Sequence, residues 1–237
     1  MKISANGLSY KELNEAIKGA SGDVVVTDVM GERFIACGQS AKKISIHGTP
    51  GNALGAYLNG ASVEVFGNGQ DAVGDTMNDG KILIRGSVGD ALGYAMRGGK
   101  IFVQGDVGYR AGVHIKEYKD KRPVIIIGGT AGSFLGEYMA GGIVVVLNLQ
   151  GKTETVGNFT GVGMHGGKIF IRGEFDAVLP PQVKCEKASL GDLETIKEHL
   201  KEYAKDFTLN EKELTESTYY VLSPDSSNPY KRLYTGN

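Results

Sequence analysis

The sequence predicts an all-β protein, a single-stranded right-handed parallel β-helix with a short N-terminal helix and a C-terminal helical extension. Three observations predict it. Glycine is about twice as common as usual, at 36 residues in 237, and only Gly191 and Gly236 lie beyond Gly173. Up to that point glycine recurs in register. Apolar residues recur with it, at spacings that describe one short strand per repeat. The break near Gly173 divides the chain into a capping segment (1–21), a repeat region (22–173) and a helical extension with a tail (174–237).

Ser9-Tyr10-Lys11-Glu12 is a capping-box pattern that opens a short helix ending near Gly19, since Ser9 and Glu12 can satisfy each other's backbone amides. Such a helix would cover the open edge of the first coil. Phe34-Ile35-Ala36-Cys37-Gly38 and Lys43-Ile44-Ser45-Ile46-His47-Gly48 then read as degenerate coils, as expected of atypical terminal repeats.

The regular repeats start at Gly51, Gln70, Gly89 and Gly108, each 19 residues after the last, and at Gly132 and Gly157 after insertions. Four residues into each copy stands a glycine: Gly55, Gly74, Gly93, Gly112, Gly136 and Gly161. These are structural turn glycines, needed where φ is positive or where backbones approach too closely for a Cβ. Three residues in, the column reads Leu54, Val73, Leu92, Ala111, Leu135, Thr160; seven residues in, it reads Leu58, Met77, Met96, Ile115, Met139, Met164. Pairs such as Val63/Val65, Ile82/Ile84, Ile101/Val103, Val144/Val146 and Ile169/Ile171 share one face of a strand, because side chains alternate. One such strand cannot bury its apolar face alone, so the copies must stack, six or seven coils in all.

The outward residue between each pair reads Glu64, Leu83, Phe102, Val145, Phe170. An apolar outer face must be covered by protein, either the C-terminal helix or a partner. The fourth coil is longer than its siblings, running Val113-His114-Ile115-Lys116-Glu117-Tyr118-Lys119-Asp120-Lys121-Arg122-Pro123. Excursions of this kind collect on one face of a solenoid and serve as contact sites. His114, Lys116, Arg122, Phe102 and Phe170 are therefore the candidate partner-contact residues. Beyond Pro180-Pro181, Leu193, Ile196, Leu200, Tyr203 and Phe207 follow the spacing of an amphipathic helix, and the tail from Ser223 reads as an extended arm.

A formal net charge of -1 gives no electrostatic grip on nucleic acid or an anionic membrane. Residues 1–20 carry Lys2, Lys11, Glu12, Glu15 and Lys18 and so lack the apolar core of a signal peptide. The expectation is a cytoplasmic protein with Cys37 and Cys185 as free thiols, although their separation leaves a disulfide open.

Motifs that carry chemistry elsewhere have plainer explanations. Gly161-Val162-Gly163-Met164-His165-Gly166 fits a dinucleotide-binding fingerprint, but a strand follows it where a helix is required. Gly151-Lys152-Thr153 ends like a phosphate-binding loop, but Val146 stands where the first glycine belongs. His47, His114, His165 and His199 have no metal-ligand spacing, and Asp71, Asp75, Asp79 and Asp90 fall in turn columns. No catalytic, cofactor-binding or metal-binding residue is assigned.

The repeat resembles the Gly-x-Gly-x-Gly domain that ends the large subunit of glutamate synthase. The likeness is closest in Gly89-Asp90-Ala91-Leu92-Gly93-Tyr94-Ala95-Met96-Arg97-Gly98-Gly99 and in Gly157-Asn158-Phe159-Thr160-Gly161-Val162-Gly163-Met164-His165-Gly166-Gly167, and it covers about residues 24–173. It implies a noncatalytic, assembly-forming subunit of a complex making glutamate from glutamine and 2-oxoglutarate. The glutaminase and FMN modules, with FMN and an iron–sulfur cluster, are then expected in partner subunits and no cofactor in this chain. One of the subunits of formylmethanofuran dehydrogenase shares the repeat, so an oxidoreductase subunit of that kind stays open, as do an independent β-helix enzyme or binding protein and a homo-oligomer.

Overall fold

A computed structural model describes residues 1–225. Nine short strands stack side by side in chain order, every pair parallel: β1 (Lys2–Ser4), β2 (Val24–Met30), β3 (Lys43–Thr49), β4 (Asn59–Phe66), β5 (Asp79–Ile84), β6 (Lys100–Val103), β7 (Val124–Ile127), β8 (Ala140–Val146) and β9 (Gly166–Arg172). The molecule is thus a parallel β-solenoid of about eight turns. The sequence suggests six or seven coils; β1 and β2 add the difference, because they carry the strand pairing without the glycine column.

Register follows the apolar pairs. Ile82 aligns with Ile101, Ile101 with Ile125, Ile125 with Val144 and Val144 with Ile169. All are fully buried, as are Leu54, Leu58, Met77, Met96, Leu135, Met139 and Met164 from the glycine-bearing side of the coil. A third interior column comes from Val88, Val107, Ala131 and Val156, which join one another by parallel bridges just before each repeat start. Single-residue bridges leave no periodic run, so this column is not visible as a strand in the sequence.

Both ends of the interior are plugged. α1 (Tyr10–Gly19) begins at the Ser9–Glu12 capping box and buries Leu13 and Ile17 against Ile3, Val24 and Ile35. Lys42 Nζ donates to the carbonyls of Ile17 (2.8 Å) and Lys18 (3.0 Å), a cation placed at the negative end of that helix. At the other end Phe175, Ala177, Leu179 and Val183 pack on the same core.

The C-terminal extension holds more than a helix. β10 (Val183–Lys187), α2 (Leu190–Phe207), α3 (Glu211–Thr215) and β11 (Tyr219–Pro224) follow the last coil. β11 pairs antiparallel with β9 on one side and β10 on the other, so the sheet ends in the order β9-β11-β10. Ser223 and Pro224 therefore end a strand instead of opening an extended arm, and the rest of the expected arm lies outside the described residues.

α2 lies across the outer face of the sheet. Ile196, Leu200, Tyr203, Ala204 and Phe207 form a second core with Leu83, Phe102, Ile126, Val145 and Phe170. Each large side chain buried there contributes about 1.5–3 kcal/mol. Tyr203 packs edge-on to Phe102 and its buried hydroxyl donates to Val103 O (3.0 Å). A charged rim seals the contact: Lys81 pairs with Glu202 (2.8 Å) and with Asp206, Lys100 with Glu202 (2.5 Å), and Lys168 with Asp192 (2.5 Å).

Candidate partner interface

The outer sheet face is covered by the chain's own α2. Phe102 and Phe170, expected as partner contacts, are wholly buried beneath α2. The sequence leaves open whether helix or partner covers that column, and the chain's own helix does. The cover ends at β4, where the column turns polar: Glu64 accepts from Arg85 (2.7 Å) there.

The glycine-bearing side of the coil is an arch with a regular backbone alternation. In the second and sixth residues after the repeat starts φ is positive and, Gly163 apart, without glycine, as at Ala72 (57°), Thr76 (51°), Arg110 (59°) and His114 (56°). The N–H groups there donate to the following coil, Ala72 to Asp90 O and Thr76 to Tyr94 O, while Gly74 N–H between them donates back to Leu54 O (2.8 Å). Alternate residues thus bond up and down the stack, and every arch is tied to both neighbours. The turn carboxylates extend these ties. Asp71 Oδ1 accepts from Asp90 N–H (2.9 Å), Asp90 Oδ1 from Tyr109 N–H (2.8 Å) and Asp106 Oδ1 from Thr130 N–H (2.9 Å). Their role is coil-to-coil capping, as the turn columns suggest.

Those same two columns point away from the core, and in the later coils they carry rings. His114 stacks on Tyr138 (5.2 Å between centroids) and meets Tyr94 edge-on (5.9 Å). Alongside, Arg110 lies over Phe134 (4.5 Å), which stacks on Phe159 (5.1 Å), and Arg110 also pairs with Glu137 (3.1 Å). Tyr94, His114, Tyr138 and Phe159 are exposed. They form two parallel aromatic ladders on one face, held at the coil spacing by backbone hydrogen bonds. Of the sequence-predicted contacts only His114 lies in them. The signal was present in the columns His114–Tyr138 and Arg110–Phe134–Phe159, with Tyr94 one residue ahead of the first column, but an outward direction could not be assigned before the alternating φ was known.

The long fourth-coil loop sits at the corner between the arch and the α2-covered face. Lys116 is exposed there, and its N–H donates to Met96 O (3.1 Å). Lys121 pins the loop to Asp79 (2.8 Å), and Arg122 pairs with Glu117 (2.7 Å). Asp79 is held below the usual carboxylate range, first by the Lys121 hydrogen bond and then by Gly80 N–H. A groove of about 280 Å³ runs from Glu117 and Arg122 to Lys168 and Thr195 on the helix side. Both its cations are already paired within the chain. His199 on α2 is half-buried, and burial followed by the nearby Lys100 lowers its pKa. Glu202, three residues further along α2, bonds Lys81 and Lys100.

An iron–sulfur cluster needs about four thiolates, and the residues present do not fit one. Cys37 lies in an arch near one end of the solenoid and Cys185 in β10 at the other, both exposed and free. Burial pushes both thiols up, away from the thiolate form. No group of three or more His, Cys, Asp and Glu side chains able to hold a metal ion occurs among the described residues, and none of their helices is long and apolar enough to cross a membrane. The Gly161–Gly166 fingerprint lies in an arch and runs into β9, with no helix after it.

The comparisons with known proteins agree with this architecture. An uncharacterized protein of Methanocaldococcus jannaschii is 45% identical to this chain, over 98% of this chain and 95% of that protein. The model of the GXGXG motif family matches residues 11–221, a span that takes in α1, every arch and the C-terminal extension as far as β11. The chain belongs to the GXGXG motif family, the family of the C-terminal domain of glutamate synthase.

Proposed function

We propose that this chain is a noncatalytic structural subunit of a glutamate-forming assembly, in which separate partner subunits hydrolyse glutamine and carry FMN and an iron–sulfur cluster. The observation that carries the reading is the family match across residues 11–221. Two features support it. The solenoid interior is filled with apolar side chains, and the aromatic ladders present rigid rings, the residue type enriched where proteins meet.

In this role the chain is a spacer. The stacked arches fix the distance between the ends of the rod, and Tyr94, His114, Tyr138 and Phe159 seat a partner module along it. Co-purification from native extract tests the proposal. Recovery of a glutaminase and a flavin subunit, with glutamine-dependent amination of 2-oxoglutarate by the complex, is the expected result. A molybdenum or tungsten subunit in their place would overturn it. Turnover of glutamine plus 2-oxoglutarate, or of a polysaccharide, by the isolated chain would overturn it equally.

A further inference from the structure

β10 is the last strand of the sheet and, among the described residues, has a neighbour only on its β11 side. Its register fixes which backbone groups face outward. Asp225 N–H donates to Gln182 O (2.8 Å) and Ala188 N–H to Tyr219 O (2.9 Å). In an antiparallel pair such bonded positions alternate, so Lys184 and Glu186 also spend their backbone groups on β11. Cys185 and Lys187 therefore turn their N–H and C=O to the open side, as does the carbonyl of Val183. Val183 N–H is already taken by Pro180 O (2.9 Å).

We propose that this edge pairs antiparallel with the same edge of a second copy, centred on Cys185. Cys185 N–H then donates to the Cys185 carbonyl of the second copy, and Lys187 N–H to its Val183 carbonyl, each repeated by the twofold axis. The charge pattern selects this register. With Cys185 at the centre, Lys184 lies directly opposite Glu186 of the second copy and Glu186 opposite its Lys184, in the close non-hydrogen-bonded pairs. Moving the axis one residue either way sets Lys184 against Lys184 or Glu186 against Glu186, which repel. Lys184 already pairs with Asp225 of its own chain (2.9 Å), which holds it over this face of the strand.

The flanks of β10 point to the same occupant. Val178, 83% exposed, stands before the strand and Leu190, 87% exposed, stands after it. Val178 lines an open groove of about 600 Å³ with Phe159, Val162, Leu179, Pro180 and Pro181. Antiparallel pairing brings the Leu190 end of one copy to the Val178 end of the other. The other end of the sheet offers no equivalent, because β1 has three residues.

Sedimentation of the full chain should give a dimer. Glu186→Lys and Lys184→Glu should each weaken it roughly tenfold or more, and an equal mixture of the two variants should restore it, since only the mixed pair sets opposite charges across the edge. Opposed strands place the two Cys185 Cα atoms about 5.5 Å apart, within disulfide reach. Added diamide should therefore couple two thiols, taking two electrons and two protons to become the hydrazine. The cross-link should survive Cys37→Ser and vanish in Cys185→Ser. A monomeric wild type, single variants that dimerise normally, a mixture that stays monomeric, or a cross-link through Cys37 would each overturn the proposal. So would a monomer whose Cys185 and Lys187 amides resist hydrogen exchange, because residues 226–237 would then be covering the edge.

Discussion

Ala72 and Thr76 flank Gly74 at φ 57° and 51°, close to the 71° of the glycine itself. A left-handed backbone alone is therefore not what reserves the middle position for glycine. A Cβ on Gly74 would lie 2.3 Å from Ile101 Cδ1 of the next coil, and one on Gly93 2.6 Å from Ile125 Cδ1. At Gly55, Gly74, Gly93 and Gly136 an isoleucine of the next coil fills the space, whereas at Gly112 the nearest atom belongs to Val144, at 3.3 Å. Gly74→Ala should cost about 2–4 kcal/mol, overpacking added to backbone strain, as read by urea unfolding. Ile101→Val removes Cδ1, so in that background the same substitution should cost about 1 kcal/mol less. An unchanged cost would mean that backbone strain alone fixes the column. The sequence shows the glycines in register, but their steric partner is a residue of the following coil and needs the stack to be seen.

Among the elements, α1 was legible from its capping box and α2 from its long apolar period. α2 has a capping box too: Ser189 Oγ accepts from Asp192 N–H (3.2 Å) and Asp192 accepts in return from Ser189 N–H (3.0 Å). The Lys168 ammonium, then the Ser189 hydroxyl, hold the Asp192 carboxyl down at about 2 from its ordinary 3.8. A depressed carboxylate stabilises the fold above its unfolded pKa and loses that contribution as pH falls through its folded one. Asp192→Asn should therefore cost about 1 kcal/mol near neutral pH, and its difference from wild type should shrink as pH drops from about 4 towards 2. Chemical denaturation of both proteins across that range is the check, and a difference constant with pH would place the effect elsewhere. β10 and β11 were not legible. Each is short, β10 is charged and almost wholly exposed, and what makes them strands is pairing with β9 and with each other.

At the scale of the whole molecule two cores lie back to back through one sheet, the solenoid interior and the outer face under α2. Truncation after Gly173 removes the cover and exposes Phe102, Val145 and Phe170. The truncated chain should keep its β-sheet circular dichroism, bind a hydrophobic dye and self-associate, and the full chain should not bind the dye. A dye-silent monomer would count against the cover. The arch face carries the partner prediction: Tyr138→Ala removes the ring beneath His114 and should weaken capture of the proposed subunits about tenfold, measured by pull-down titration. Phe102→Leu, sealed under α2, should leave capture unchanged. Sequence by itself determined the solenoid, because glycines and apolar pairs in register can bury their faces only by stacking. It also placed the amphipathic helix beyond the repeats. Only tertiary structure decided which apolar column the chain covers itself and which rings it leaves outside. Outward direction depends on the alternating backbone of the arch, and cover depends on a helix about a hundred residues distant from Phe102; neither leaves a local mark on the chain.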